Sequence, residues 1–89
     1  MITQKESIQT NTVCSVYPNP FSSSINIVNL NSSILKVRLY DIIGRLVLKD
    51  EGLNIHEKEY TLSSLPDGIY QLEIETVNGF HCQRIVKTK

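Results

Sequence analysis

The chain has no tryptophan, only two histidines and two cysteines, and no excess of charge of either sign. Each shortage removes a class of function. Nine Lys+Arg balance nine Asp+Glu, so there is no broad basic field to attract nucleic acid or an anionic membrane surface. No apolar stretch approaches the ~20 residues that a membrane-spanning helix needs. Met1-Ile2-Thr3-Gln4-Lys5-Glu6 is polar and has no apolar core, so it does not read as a secretory signal. An export signal would have to lie upstream in a longer parent chain. No C-x-x-C or H-x-x-x-H spacing exists to hold zinc, and no Gly-rich loop exists to cradle phosphate. No metal or other cofactor is expected. Without tryptophan, the planar platform that sugar binders usually expose is also missing. At 89 residues there is room for one domain, which buries roughly 60–65% of the surface its unfolded chain exposes.

Cys14 and Cys82 fall in the expected first and last strands and leave two readings open. They are two small buried hydrophobes, or a disulfide joining the chain ends in an oxidising compartment. Closing so long a loop would add up to about 4 kcal/mol in the chain-entropy model. Their spacing does not choose between these.

What is present is a series of short alternating runs divided by turn signals. Met1 to Thr12 is rich in Thr, Gln, Ser and Asn without periodicity, so residues 1–12 read as a flexible linker and 13–89 as the folded domain. Val13 to Tyr17 is the first strand, stopped by Pro18-Asn19-Pro20, because proline lacks the ladder donor. Ser24 to Val28 places Ile25 and Ile27 on one face. Leu35, Val37 and Leu39 alternate with Lys36, Arg38 and Tyr40 and are expected to be the inward set. Asp41-Ile42-Ile43-Gly44 is a turn, with Asp suited to its first position and Gly to a left-handed backbone. Arg45 to Lys49 returns as a hairpin. Glu57 to Leu62 follows, with Tyr60 and Leu62 inward. Gly68 to Val77 directs Tyr70, Leu72 and Ile74 one way and Gln71, Glu73 and Glu75 the other. Asn78-Gly79 predicts a type I′ turn, pairing Phe80 to Lys87 with the preceding strand. About seven strands at this spacing predict an all-β, immunoglobulin-like two-sheet antiparallel sandwich. Tyr70, after Asp67-Gly68-Ile69, fits a tyrosine corner, its hydroxyl bonding backbone near Ser64 or Leu65.

Catalytic constellations are scarce. His81 and Cys82 are strand neighbours and point to opposite faces. Asp41 and Asp67 sit in turns, where carboxylates cap backbone donors. Glu73 and Glu75 share a solvated face, not the two walls of a glycosidase cleft. The terminal run with Arg84, Lys87 and Lys89 reads as a solvated edge strand kept soluble by lysine. Alternatively, it is a docking element that adds to another sheet.

Three motifs occur in order. The first is Tyr17-Pro18-Asn19-Pro20, and the second is the strand–turn–strand with Asp41, Gly44 and Arg45. The third is Leu65-Pro66-x-Gly68-x-Tyr70, followed by a hairpin with Gly79 and an apolar-basic strand of Ile85, Val86 and Lys87. Jointly, over roughly Val16 to Lys87, they resemble the C-terminal sorting domains of the bacterial type IX (Por) secretion system. The cysteines and Phe80-His81 fall outside that pattern. The resemblance implies a non-catalytic address label behind an upstream cargo, moving through the periplasm to the outer-membrane surface or beyond. Its implied partners are the translocon with its shuttle proteins, and a sortase-like peptidase that cuts the domain off in or before residues 1–12. Ile85, Val86, Lys87 and Lys89 are the expected translocon contacts. The competing reading is an Ig-like adhesive or spacer module that stays on a surface protein.

Overall fold

Alternation with a period of two, broken at Pro, Gly and Asp, gives seven strands. In chain order they are β1 (Cys14–Tyr17), β2 (Ser24–Asn29), β3 (Ile34–Tyr40), β4 (Leu46–Asp50), β5 (Glu57–Thr61), β6 (Gly68–Thr76) and β7 (Gly79–Lys87). The computed structural model describes residues 14–88. The expected linker 1–12, Val13 and Lys89 lie outside them.

The strands form two antiparallel sheets, of order β1-β2-β5 and β4-β3-β6-β7. In the first, Val16 lies opposite Ile27, and Ile25 opposite Tyr60. In the second, Leu39 lies opposite Leu72, Val37 opposite Ile74, and Tyr70 opposite Ile85. Inward side chains from both sheets make one core: Ile25, Ile27, Ile34, Val37, Leu39, Leu72, Ile74 and Ile85 are fully buried. Phe21, Tyr60, Leu62 and Tyr70 close it. Two antiparallel sheets facing one core are the sandwich that the strand spacing predicts.

The structure corrects the sequence reading at three points within the fold. In β3 the inward residue at the start is Ile34, not Leu35, which is only half-buried. A bulge between Ile34 and Lys36 spends one residue without advancing the register, so the alternation changes phase. In the last hairpin Thr76 pairs with Gly79, so the connecting residues are Val77-Asn78, one position before the expected pair. The Thr76 hydroxyl explains the shift: Oγ1 accepts the Asn78 N–H at 3.1 Å and donates to the Gly79 carbonyl at 3.1 Å. Finally, the tyrosine corner closes on Pro66, just beyond the expected Ser64–Leu65, with the Tyr70 hydroxyl donating to the Pro66 carbonyl.

Candidate functional site

The three motifs meet at one end of the sandwich. The Asp41 turn and the tyrosine corner hold themselves together by local chemistry, whereas the Tyr17–Pro20 segment is held by distant β7.

In the turn after β3, the Gly44 N–H donates to the Asp41 carbonyl at 3.0 Å, and the Asp41 N–H to the Arg45 carbonyl at 2.9 Å. The Asp41 carboxylate accepts the N–H groups of Ile43 (3.1 Å) and Arg45 (2.9 Å) on Oδ1, and the Arg45 Nε–H on Oδ2 at 2.8 Å. Gly44 has φ +90°, a left-handed value that glycine adopts without strain. The Arg45 N–H is the largest influence holding the Asp41 carboxyl below its usual pKa. Partial desolvation opposes it, while the Arg45 guanidinium and the Ile43 N–H reinforce it. With the turn fastened this way, Ile42 and Ile43 are left at its tip, 75% and 72% exposed.

Leu65-Pro66-Asp67-Gly68 forms the corner into β6. Its Tyr70 hydroxyl is raised above the ordinary phenol pKa by burial, then by the charges of Asp41 and Asp67. Among the described residues no backbone donor meets the Asp67 carboxylate; its Oδ1 lies 3.5 Å from Lys87 Nζ. The Lys87 side chain is almost fully covered, and a cation so placed needs a partner.

Tyr17-Pro18-Asn19-Pro20 carries the chain from the first sheet across to the edge of β7. The Asn19 amide bonds there on both sides: Nδ2 donates to the Arg84 carbonyl at 3.2 Å, and Oδ1 accepts the Val86 N–H at 3.0 Å. Phe21 follows, its N–H donating to the Val86 carbonyl at 2.9 Å and its carbonyl accepting the Thr88 N–H at 2.8 Å. Phe21 and Lys87 form a parallel bridge.

Between the Asp41 turn and the tyrosine corner lies an open depression of about 260 Å³, walled by Ile42, Ile43, Val47, Leu65, Pro66 and Ile69. A second, of about 230 Å³, shares Asp41, Ile42, Ile69 and Tyr70 and reaches Gln71 and Arg84. The apolar surface is thus the first depression, between the turn and the corner, while the second, lined by Asp41, Gln71 and Arg84 as well as Ile42, Ile69 and Tyr70, is mixed in character. The first depression offers shape and apolar contact, with Asp41, Arg45 and Asp67 also in its lining.

The residues singled out in the sequence are distributed as follows. Tyr17, Pro18, Asn19, Pro20, Asp41, Gly44, Arg45, Leu65, Pro66, Gly68 and Tyr70 gather at this pole, while Gly79 sits at the opposite end beside the β6–β7 turn. Of the terminal residues, Ile85 is in the core, Lys87 is covered, and Val86 is half-buried on the outer face. Lys87 is therefore not a solvated edge lysine: the edge is covered from Arg84 to Thr88 by the Asn19–Phe21 segment. Nor is that stretch of β7 open to another sheet. Cys14 and Cys82 are both free. Cys14 packs against the core from the first sheet, whereas Cys82 faces solvent on the outer side of the second, so they do not pair. Burial pushes the Cys14 thiol up to about 11, which keeps it protonated and unreactive.

Glu73 and Glu75 are engaged across strands: Arg38 lies 3.3 Å from Glu73, and Lys36 lies 3.7 Å from Glu75. Among the described residues no group of three or more His, Cys, Asp or Glu side chains stands where it could hold a metal ion. Sequence reasoning missed the Asn19 clasp and the Asp67–Lys87 pair, both contacts between distant segments. The exposed Ile42-Ile43 pair did have a local signal, since two isoleucines at the centre of a turn are out of place.

No curated protein matches the chain. A family model described as a secretion-system C-terminal sorting domain matches residues 15–88, all of the sandwich but Cys14, with all three motifs. The chain belongs to that family, the C-terminal sorting domains of type IX secretion.

Proposed function

We propose that this domain directs an upstream cargo from the periplasm through the type IX translocon, which reads the pole where the three motifs converge. The convergence carries the reading. Segments far apart in sequence are held side by side, and their apolar side chains (Ile42, Ile43, Val47 and Ile69) face solvent in one continuous patch. The end of β7 flanks this surface, with Val86 opposite Ile69 on the same face and Ile85 and Lys87 turned inward, and Lys89 follows it in sequence. A shuttle protein or translocon subunit would dock on the patch through apolar anchors. The domain is then cut off by a sortase-like peptidase at a bond in or before residues 1–12, and the cargo is attached to lipopolysaccharide or released.

The test is a reporter carrying a signal peptide upstream of the 89-residue chain, expressed with and without a working type IX system. Delivery to the surface or medium is expected only with the system, in a product lacking the domain. Delivery without it, or a mature surface protein that keeps the domain, favours an adhesive or spacer module. Deleting Ile85 to Lys89 would remove a core residue and confound folding with recognition. The informative variant is therefore the double substitution Ile42→Asp, Ile43→Asp at exposed positions. It is expected to lower delivery by about tenfold or more with the melting temperature little changed. Undiminished delivery would place the contact elsewhere.

A further inference from the structure

The last strand lies at the rim of its sheet, and the hydrogen-bonding groups along the C-terminal half of that rim are taken. In an antiparallel ladder the N–H and C=O of one residue point to the same side, and successive residues alternate. On β7 and the residue after it the groups of Arg84, Val86 and Thr88 point away from β6, and four of them are taken by Asn19 and Phe21. Asn19 does this with its side chain: its amide offers one donor and one acceptor, the pair a strand residue would offer from its backbone. Backbone pairing resumes only at Phe21.

The reason for the substitution lies in the neighbours. Pro18 and Pro20 flank Asn19 and have no N–H to give. A segment covering an edge becomes the new edge, and one made of ordinary residues would present its own N–H groups to the next chain. Pro-Asn-Pro satisfies the strand on one side and presents no proline donor on the other, a known way of ending a sheet. The charge of these 89 residues supplies no alternative device. A formal net charge of zero gives no long-range repulsion to hold copies apart.

We propose that Tyr17–Phe21 is an edge guard, and that the surface it covers on β7 is one to which a second copy of this chain would otherwise pair, strand to strand. The covered stretch runs from Arg84 to Thr88. Beyond it the groups of Phe80 and Cys82 point to the same edge, so releasing the guard leaves four outward-pointing residues of β7 (Phe80, Cys82, Arg84 and Val86) and Thr88 after it open along one edge. That matches the length of an ordinary strand, whereas the two left beyond the guard are too few to hold a partner. The inference concerns association of the folded domain and does not depend on export.

The experiment compares the full 89-residue chain with Asn19→Ala and Asn19→Asp by sedimentation velocity over a concentration series, with amide exchange measured alongside. The parent is expected to sediment as a monomer. Asn19→Ala should keep the circular dichroism of the parent, exchange the Val86 amide at least about tenfold faster at low concentration, and dimerise as concentration rises. In the dimer, the Phe80 and Cys82 amides become protected. Asn19→Asp retains the acceptor for Val86 but sets a second oxygen against the Arg84 carbonyl, so it too should loosen the guard and dimerise more than the parent, and it serves if the alanine variant does not fold. A folded variant with faster Val86 exchange that remains monomeric at every concentration overturns the proposal. So does a dimer in which Phe80 and Cys82 exchange as in the monomer.

Discussion

At the scale of single residues, Gly44 and Asp41 show how little chain is needed to fix a turn. Gly44 carries φ +90°, and no atom stands within 4 Å of where a Cβ would be, so a side chain there meets no clash. Its cost is backbone strain alone. Gly44→Val should therefore destabilise the domain by about 1–3 kcal/mol, seen as a lower urea midpoint with an unchanged slope; an unchanged midpoint would show that the turn relaxes freely. Such positions are legible in sequence because their physics is local. Asp-x-x-Gly announces its own hydrogen bonds, and Tyr70 behind Asp67-Gly68 announces a corner. Asn19 announces nothing, since its partners Arg84 and Val86 are brought to it only by the completed sheet. Lys87 misleads for the same reason. Its charge suggests solvent, and only the fold places Asp67 beside it and Phe21 over it.

At the scale of elements, β2 and β6 can be read directly, because unbroken alternation assigns every side chain to a face. β3 cannot, because its bulge leaves no compositional mark and changes the phase of what precedes it. Leu35 and Ile34 look equally apolar, and the alternation of Val37 and Leu39 extrapolates to the wrong one. The difference is measurable. Ile34→Ala empties a fully buried site that also bridges to Ile55 and should cost about 2–5 kcal/mol. Leu35→Ala, at a half-buried position, should cost distinctly less. Equal losses in chemical denaturation would contradict the bulge. The closing hairpin makes the same point more mildly: Asn-Gly marks the place of a turn, while the Thr76 hydroxyl decides its register.

At the scale of the whole molecule, stability should hold across neutral pH and fall on both sides, for opposite reasons. The Asp41 carboxyl titrates lower in the folded than in the unfolded chain. Its contribution is complete above the unfolded value of about 3.9 and is lost as pH falls through the folded one. Tyr60 and Tyr70 are raised, chiefly by burial and then by carboxylates: Asp50, 2.8 Å from the Tyr60 hydroxyl, and Asp41 and Asp67 near Tyr70. Their neutral forms favour the fold below the unfolded value of about 10, and that support is lost as pH rises beyond it. Urea midpoints against pH should show both limbs, the acid one shallower in Asp41→Ala and the alkaline one shallower in Tyr60→Phe. An alkaline limb unchanged in Tyr60→Phe would assign that loss to other groups.

The parallel run of Phe21 beside Lys87 also has a mechanical side. The chain is followed from Cys14 at the pole of the β6–β7 turn, and its last described residue, Thr88, lies at the opposite pole. Tension applied between these two points drags the Asn19–Phe21 segment and β7 past each other lengthwise, so the hydrogen bonds joining them share the load together instead of opening one at a time like a zip. The same few residues that finish the sheet are the seam on which a tug between the two ends of the domain falls.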